Sequence, residues 1–131
     1  MSDVHPALAV LEQLDTSDIA ASAHLFAPDV VWHYSNPNLP DLQGDYSGPE
    51  GIAAFFAAVA QKSQGTFRIE PVAATPVGKE LVVVQSRNTL TFESEIVTMD
   101  VVVVWRIVTG RIVEVWDIVP GQPTEVRNVR Q

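Results

Sequence analysis

After Gly65 the apolar residues stop recurring at helical intervals and begin to alternate. The runs TFRIEPVAAT (66–75), ELVVVQSRNTLTF (80–92), IVTMDVVVVWRIV (96–108) and RIVEVWDIV (111–119) occupy nearly all of the chain as far as Val119. Alternation places successive side chains on opposite faces of a strand. The segments between the runs are short, VTGR at 108–111 being the tightest, so the period predicts an antiparallel meander. A sheet of that length has an apolar face to bury, and the residues before Gly65 must supply the cover.

They read as helices and one strand. Ser2 or Asp3 can cap a first helix carrying Val4, Leu8 and Leu11, with Ala7, Val10 and Leu14 widening the stripe. DTSD (15–18) breaks it and offers caps for a second helix through Ile19, Ala23 and Phe26, ended by Pro28. DVVWHY (29–34) is rich in strand formers, and SNPNLPDLQGDYSG (35–48) is a loop by composition. A further helix starts at Ser47 or Gly48. Pro49 suits its first turn and Glu50 complements its dipole. Ile52, Phe55, Phe56 and Val59 form its stripe, and Gly65 follows its end. The layout is α+β, with helices covering one face of a curved, mostly antiparallel sheet. One domain spans 1–131, with its core at about 5–120 and a polar, loosely packed tail at 121–131. A strongly curved sheet wrapped around a helix leaves a conical cavity, a natural place for a ligand.

Charge and composition narrow the partners. The net charge is −8, from 16 acidic and 8 basic residues, which argues against nucleic acid or an anionic membrane surface. No apolar stretch reaches the roughly 18 residues of a membrane span, and the N-terminus lacks the pattern of a signal peptide. The expected location is cytoplasmic. With no cysteine, thiol nucleophiles and thiolate metal sites are excluded. The three histidines lack metal-ligand spacing, so neither a metal nor another cofactor is implied.

One residue breaks the alternation. In IVEVWDIVP, Asp117 shares its face with Val113, Val115 and Val119, opposite Glu114. A carboxylate on an apolar face is costly unless it is paired or protonated. Arg87 has the parity of Gln85 and Thr89 and could meet it there, giving either a structural ion pair or a pocket cation. Without that pair, desolvation would raise the Asp117 pKa toward the range of a general base. His33 and Tyr34 are further candidates, although only one of two neighbours on a regular strand can point inward. Trp32, Tyr46, Phe56, Trp105 and Val103 are core residues by default, some of which would line any cavity. Arg68 and Arg106 have the parity of the outer face. Val102 and Val104, with Ile112, Trp116 and Ile118, would leave that face apolar enough to pair two copies as a homodimer.

LFAPDVVWHY, GDYSGPEGIAAFF, GTFRIEPV and GRIVEVWDIV together resemble the SnoaL-like polyketide cyclases, within the superfamily of ketosteroid isomerase and nuclear transport factor two. The resemblance covers roughly residues 5–120. It implies a cone-shaped, cystatin-like sheet, but not one reaction, because the fold hosts isomerases, cyclases, epoxide hydrolases and non-catalytic binding domains. Ketosteroid isomerase residues fall on Val10, on Tyr34 or its neighbour His33, and on Val103; none matches in type. The Arg-x-Asp pair of limonene epoxide hydrolase falls on Arg87 and Thr89, and its last aspartate on Asp117. The acid/base aspartate of SnoaL-type cyclases also falls on Asp117. The resemblance therefore implies a cofactor-independent enzyme using Asp117 on a compact, apolar, carbonyl-bearing substrate, or on water. A non-catalytic ligand-binding or dimerisation module is the alternative within the same fold.

Overall fold

The computed structural model describes residues 5–16 and 18–128. Helix α1 (Pro6–Glu12) and a 3-10 turn (Ala23–Leu25) lead into strand β1 (Phe26–Ser35), followed by β2 (Gly44–Ser47) and helix α2 (Gly48–Lys62). Four long strands come next: β3 (Arg68–Val77), β4 (Leu81–Phe92), β5 (Glu95–Val108) and β6 (Arg111–Ile118). A short β7 (Glu125–Asn128) completes a seven-stranded sheet ordered β2-β1-β6-β5-β4-β3, with β7 on β5 off this path. The β3-to-β6 meander is antiparallel throughout. Only β1 against β6 is parallel, with Tyr34 opposite Asp117.

The expected α+β architecture is therefore present, with a mixed, mostly antiparallel sheet. The alternation read from the sequence is visible as burial. On β5, Met99, Val101, Val103, Trp105 and Ile107 are buried, while residues between them are more exposed. Helix α2 packs on β1 and β2 through Ile52, Phe55 and Val59. Its ring contacts knit helix to sheet: Phe55 lies 4.6 Å from Tyr34 and 5.8 Å from Trp32, and Trp32 meets Trp105 edge-on at 5.3 Å. Such tilted and edge-to-face pairs are the favoured geometry for aromatic rings.

Several local expectations change. The caps expected at Ser2 or Asp3 lie outside the described residues. His5 caps α1 instead, its Nδ1 accepting from the Ala7 N–H at 3.1 Å while Nε2 donates to the Gly78 carbonyl at 3.0 Å. No second α-helix forms over Ile19, Ala23 and Phe26. Turns and the 3-10 segment replace it, and Phe26 already belongs to β1. Pro28 disfavours helix at Ala27, and the register shift between Phe26 and Val31 accommodates the missing N–H within the strand. The 35–48 loop contains β2, and the supposedly loose tail returns to pair with the first half of β5 at Glu95–Thr98. Ile112, expected on the outer face, is fully buried. Arg106 pairs with Glu114 and Ile107 with Ile112, leaving Val113 as an extra residue. This bulge switches the face of everything before it.

Candidate functional site

Between the concave sheet face, α1 and α2 lies a cavity of about 490 Å³. Trp32, Tyr34 and Asn36 project into it from β1 and the residue after it, Asp117 from β6, and Val103 and Trp105 from β5. On β4 the cavity-facing residues are Val84, Ser86, Asn88 and Leu90, while Phe55, Phe56 and Val59 come from α2. The size and the mostly apolar lining suit a small organic molecule.

Asp117 is 8% exposed. Its Oδ1 has no hydrogen-bond partner among the described residues. Burial pushes the carboxyl up to about 7, opposed only by the nearby indole N–H of Trp32. That N–H is close enough to temper the rise yet makes no hydrogen bond of good geometry, since Trp32 Nε1 also lacks a partner. Desolvation thus dominates, so the group exchanges protons near neutrality.

Beside Asp117 stands Tyr34, whose phenol oxygen accepts from Asn36 Nδ2 at 2.7 Å. Asn36 is itself held: its N–H donates to Gln43 Oε1 at 2.8 Å and its Oδ1 accepts from the Asn38 N–H at 2.9 Å. Burial pushes the Tyr34 phenol up to about 12, Asn36 pulling the other way and the Asp117 charge adding to the rise. Tyr34 therefore keeps its proton, and its oxygen is already supplied by Asn36. The O–H remains available to donate. Across the cavity, Ser86 is buried, and Asn88 Oδ1 and Trp105 Nε1 are buried without partners among the described residues.

Of the residues singled out in the sequence, Asp117, Tyr34, Trp32, Phe56, Trp105 and Val103 converge on this cavity. Tyr46 is not part of the lining; it packs at 4.9 Å on Phe55, with its hydroxyl donating to the Leu42 carbonyl. Arg87 and His33 do not join them. Arg87 lies on the outer face, where its Nε donates to Asp100 Oδ1 at 3.1 Å, and Thr89 has the same parity. The expected Asp117–Arg87 pair is absent because β4 presents Ser86 and Asn88 inward. His33 also faces outward. Its ring donates to Asp45 at 2.7 Å and to Glu114 at 2.6 Å and stacks on Trp116. The Glu114 hydrogen bond is the main cause of its raised pKa, with Asp45 adding and burial opposing. Asn36, Ser86 and Asn88 escaped the sequence reading. Extending the Trp32–Tyr34 alternation by one step would have found Asn36; the unbroken LVVVQ run hides which face of β4 turns inward.

Residues 7–115 match the family model of the SnoaL-like domain. The chain belongs to that family. No curated protein matches it in sequence. Among solved structures it is similar to TerC co-crystallised with polyporic acid, at 24% identity over 88% of this chain and 92% of that one, with a TM-score of 0.73. Bal32a, from a soil-derived mobile gene cassette, superposes with a TM-score of 0.74 at 17% identity, covering 90% and 92% of the two chains. A limonene-epoxide-hydrolase-like enzyme of M. tuberculosis gives 0.64 at 18% identity, covering 91% and 86%. These likenesses establish the fold. The Arg-x-Asp comparison with epoxide hydrolases changes with the observed register: Ser86 and Asn88, not Arg87 and Thr89, occupy the inward positions, so neither the cation nor the acid is present there.

Proposed function

We propose that this SnoaL-like domain is a cofactor-independent enzyme in which Asp117 is the general acid/base. Its substrate is a compact, largely apolar molecule bearing a carbonyl group. The observation behind this reading is the buried Asp117 carboxyl group on the wall of an apolar cavity, with a pKa of about 7 and an Oδ1 that has no hydrogen-bond partner among the described residues. In its ionised form Asp117 takes a proton from the carbon next to the carbonyl. The electron pair of that C–H bond moves to the carbonyl oxygen, and the Tyr34 O–H donates to the developing oxyanion. Asp117 then returns the proton at the same or another carbon, completing an isomerisation or the aldol-type step of a cyclisation. The same carboxylate can instead take a proton from water. We further propose that the protein works in the cytoplasm as a homodimer, paired through Val102, Val104, Trp116 and Ile118 on the outer sheet face.

Proton exchange tests the chemistry without the natural substrate. In D2O, wild-type protein should accelerate deuterium incorporation next to the carbonyl of small cyclic and aromatic ketones, followed by NMR. Asp117→Asn should reduce that rate by roughly 100-fold, the usual scale of a general base. Ketones that bind, detected by raised melting temperature, but exchange at the solvent rate would make the domain a ligand-binding module and not an enzyme.

A further inference from the structure

We propose that the homodimer is proton-dependent: it forms most tightly while His33 carries a proton on both ring nitrogens, and it loosens when the ring gives one up. This rests on the homodimer reading of the outer sheet face and adds what regulates that face.

The strand register lays the device out. Asp45 on β2 stands opposite His33 on β1, His33 opposite Trp116 on β6, and Trp116 opposite Val104 on β5. These residues form one row across the outer face, and Trp116 and Val104 belong to the shallow apolar groove there. The His33 ring lies 5.6 Å from the Trp116 ring with 24° between their planes, so the imidazole braces that groove residue from the side. His33 Nδ1 is 2.7 Å from Asp45 Oδ1, and Nε2 is 2.6 Å from Glu114 Oε2. Two such bonds need an N–H on each nitrogen, and only the imidazolium has both. The Glu114 bond holds the ring above the ordinary histidine range, with Asp45 adding and burial opposing. The neighbouring charges on this face are engaged elsewhere. Arg106, opposite Glu114 in the ladder, donates to Glu80, and Arg87 donates to Asp100. Among the described residues, His33 is therefore the cation that bonds to Asp45 and Glu114.

With the second proton in place, the ring offsets one of its two carboxylates and turns both toward itself. When that proton leaves, one nitrogen presents a lone pair to a carboxylate. The hydrogen bond is lost, and neither carboxylate is offset any longer. In a two-fold interface each copy brings the same row. Deprotonation then adds a bare carboxylate from each copy beside an apolar contact, where a charge is poorly hydrated. The chain already carries 16 acidic residues against 8 basic ones, so the copies also repel at longer range. The assembled state thus binds the His33 proton more tightly than the separate copies do. Assembly is at full strength below the His33 pKa of a separate copy and is lost as pH rises through the higher value of the dimer. The switch acts on the face opposite the cavity: Trp116 points outward and its neighbour Asp117 inward.

Sedimentation equilibrium on the full chain tests this, with the dimer Kd measured from about pH 6 to about pH 9. A coupling of about half a pH unit at each of two equivalent rings multiplies to about tenfold, so Kd should rise by about tenfold or more across that range. The NMR titration of the His33 ring should show a higher midpoint in the dimer than in the dilute monomer. His33→Gln should flatten the Kd profile to less than about threefold. Glu114→Gln should move both the His33 midpoint and the rise in Kd to lower pH, because it removes the main source of the ring's proton affinity. Asp117→Asn should leave the rise in place, which separates this titration from the one in the cavity. If His33→Gln does not fold, the wild-type profile and the shift in Glu114→Gln carry the same test. A wild-type Kd that varies by less than about threefold, or a rise that persists unchanged in Glu114→Gln or His33→Gln, would overturn the switch and leave the homodimer standing. A monomer at every pH would remove the homodimer and this inference with it.

Discussion

A carboxyl group walled in by apolar side chains is held most easily in its protonated form. Asp117 has a folded pKa of about 7 against an ordinary value of 3.8. The folded protein therefore binds this proton more tightly than the unfolded chain does. Its contribution is fully favourable below the unfolded pKa and is lost as pH rises between the two values. At 1.36 kcal/mol per pH unit, the loss is on the order of 4 kcal/mol by neutrality. Asp117→Asn removes the titration. The variant should match wild type near pH 4 and exceed it by about 1–3 kcal/mol near pH 8, the lower figure allowing for the lone pairs and N–H groups of an imperfectly placed amide. Urea melts across this range would check it. Adding Arg87→Met should leave the difference unchanged, because Arg87 bonds to Asp100 on the other face. A destabilised Asp117→Asn that Arg87→Met then rescued would contradict the observed separation.

At the scale of elements, the end of α2 shows how local chemistry departs from a sequence signal. Gly65 marks the helix end in the sequence, but the left-handed position next to the cap is taken by Gln64, with φ 53°. The Gln64 N–H bonds to the Gln61 carbonyl at 3.2 Å and the Gly65 N–H to the Ala60 carbonyl at 2.8 Å, the paired bonds of a Schellman ending. A side chain with a Cβ is strained there, so Gln64→Gly should stabilise the protein by about 0.5–1 kcal/mol, read as a rise in melting temperature. The long strands β3 to β6 were legible to within two residues at either end, because alternation persists over many residues and the turns are short. The 3-10 segment, β2 and β7 were not. Each is only three or four residues long, too short for a period to emerge, and the two strands exist because a neighbouring strand offers unpaired backbone groups. The site was half legible for a related reason. Asp117 stood out as a charge on an apolar face. By contrast, Ser86 and Asn88 sit on a strand whose two faces look alike in the sequence, and one wrong step of parity put Arg87 in their place.

For the whole molecule, the homodimer proposed above rests on the outer sheet face. Val104, Arg106, Trp116 and Ile118, with Glu80 and Leu81, surround a shallow groove there, and Ile118 is 48% exposed. An apolar strip of this kind on a curved sheet fits a second copy of itself about a two-fold axis. Sedimentation at micromolar concentration should give a dimer, and Ile118→Glu with Val104→Glu should shift it to monomer while leaving ketone binding in the opposite-facing cavity within about threefold. A clean wild-type monomer would end the homodimer reading.

The parallel pairing of β1 with β6 has a consequence for how the molecule comes into being. Tyr34 and Asp117 are neighbours across that pair, yet most of the chain lies between them. Long loops must close before such contacts can form, which slows folding relative to chains built from local contacts. During synthesis β1 emerges before β6 and can at first pair only with β2; its other edge waits for β6, which follows β3, β4 and β5. Until then the Trp32 and Tyr34 wall has no opposite carboxyl group. A nascent chain cut short before residue 111 would hold much of the scaffold's sequence and none of its acid. The proposed acid/base activity should therefore be acquired in one step when β6 pairs with β1, together with protection of the β1 amides from hydrogen exchange.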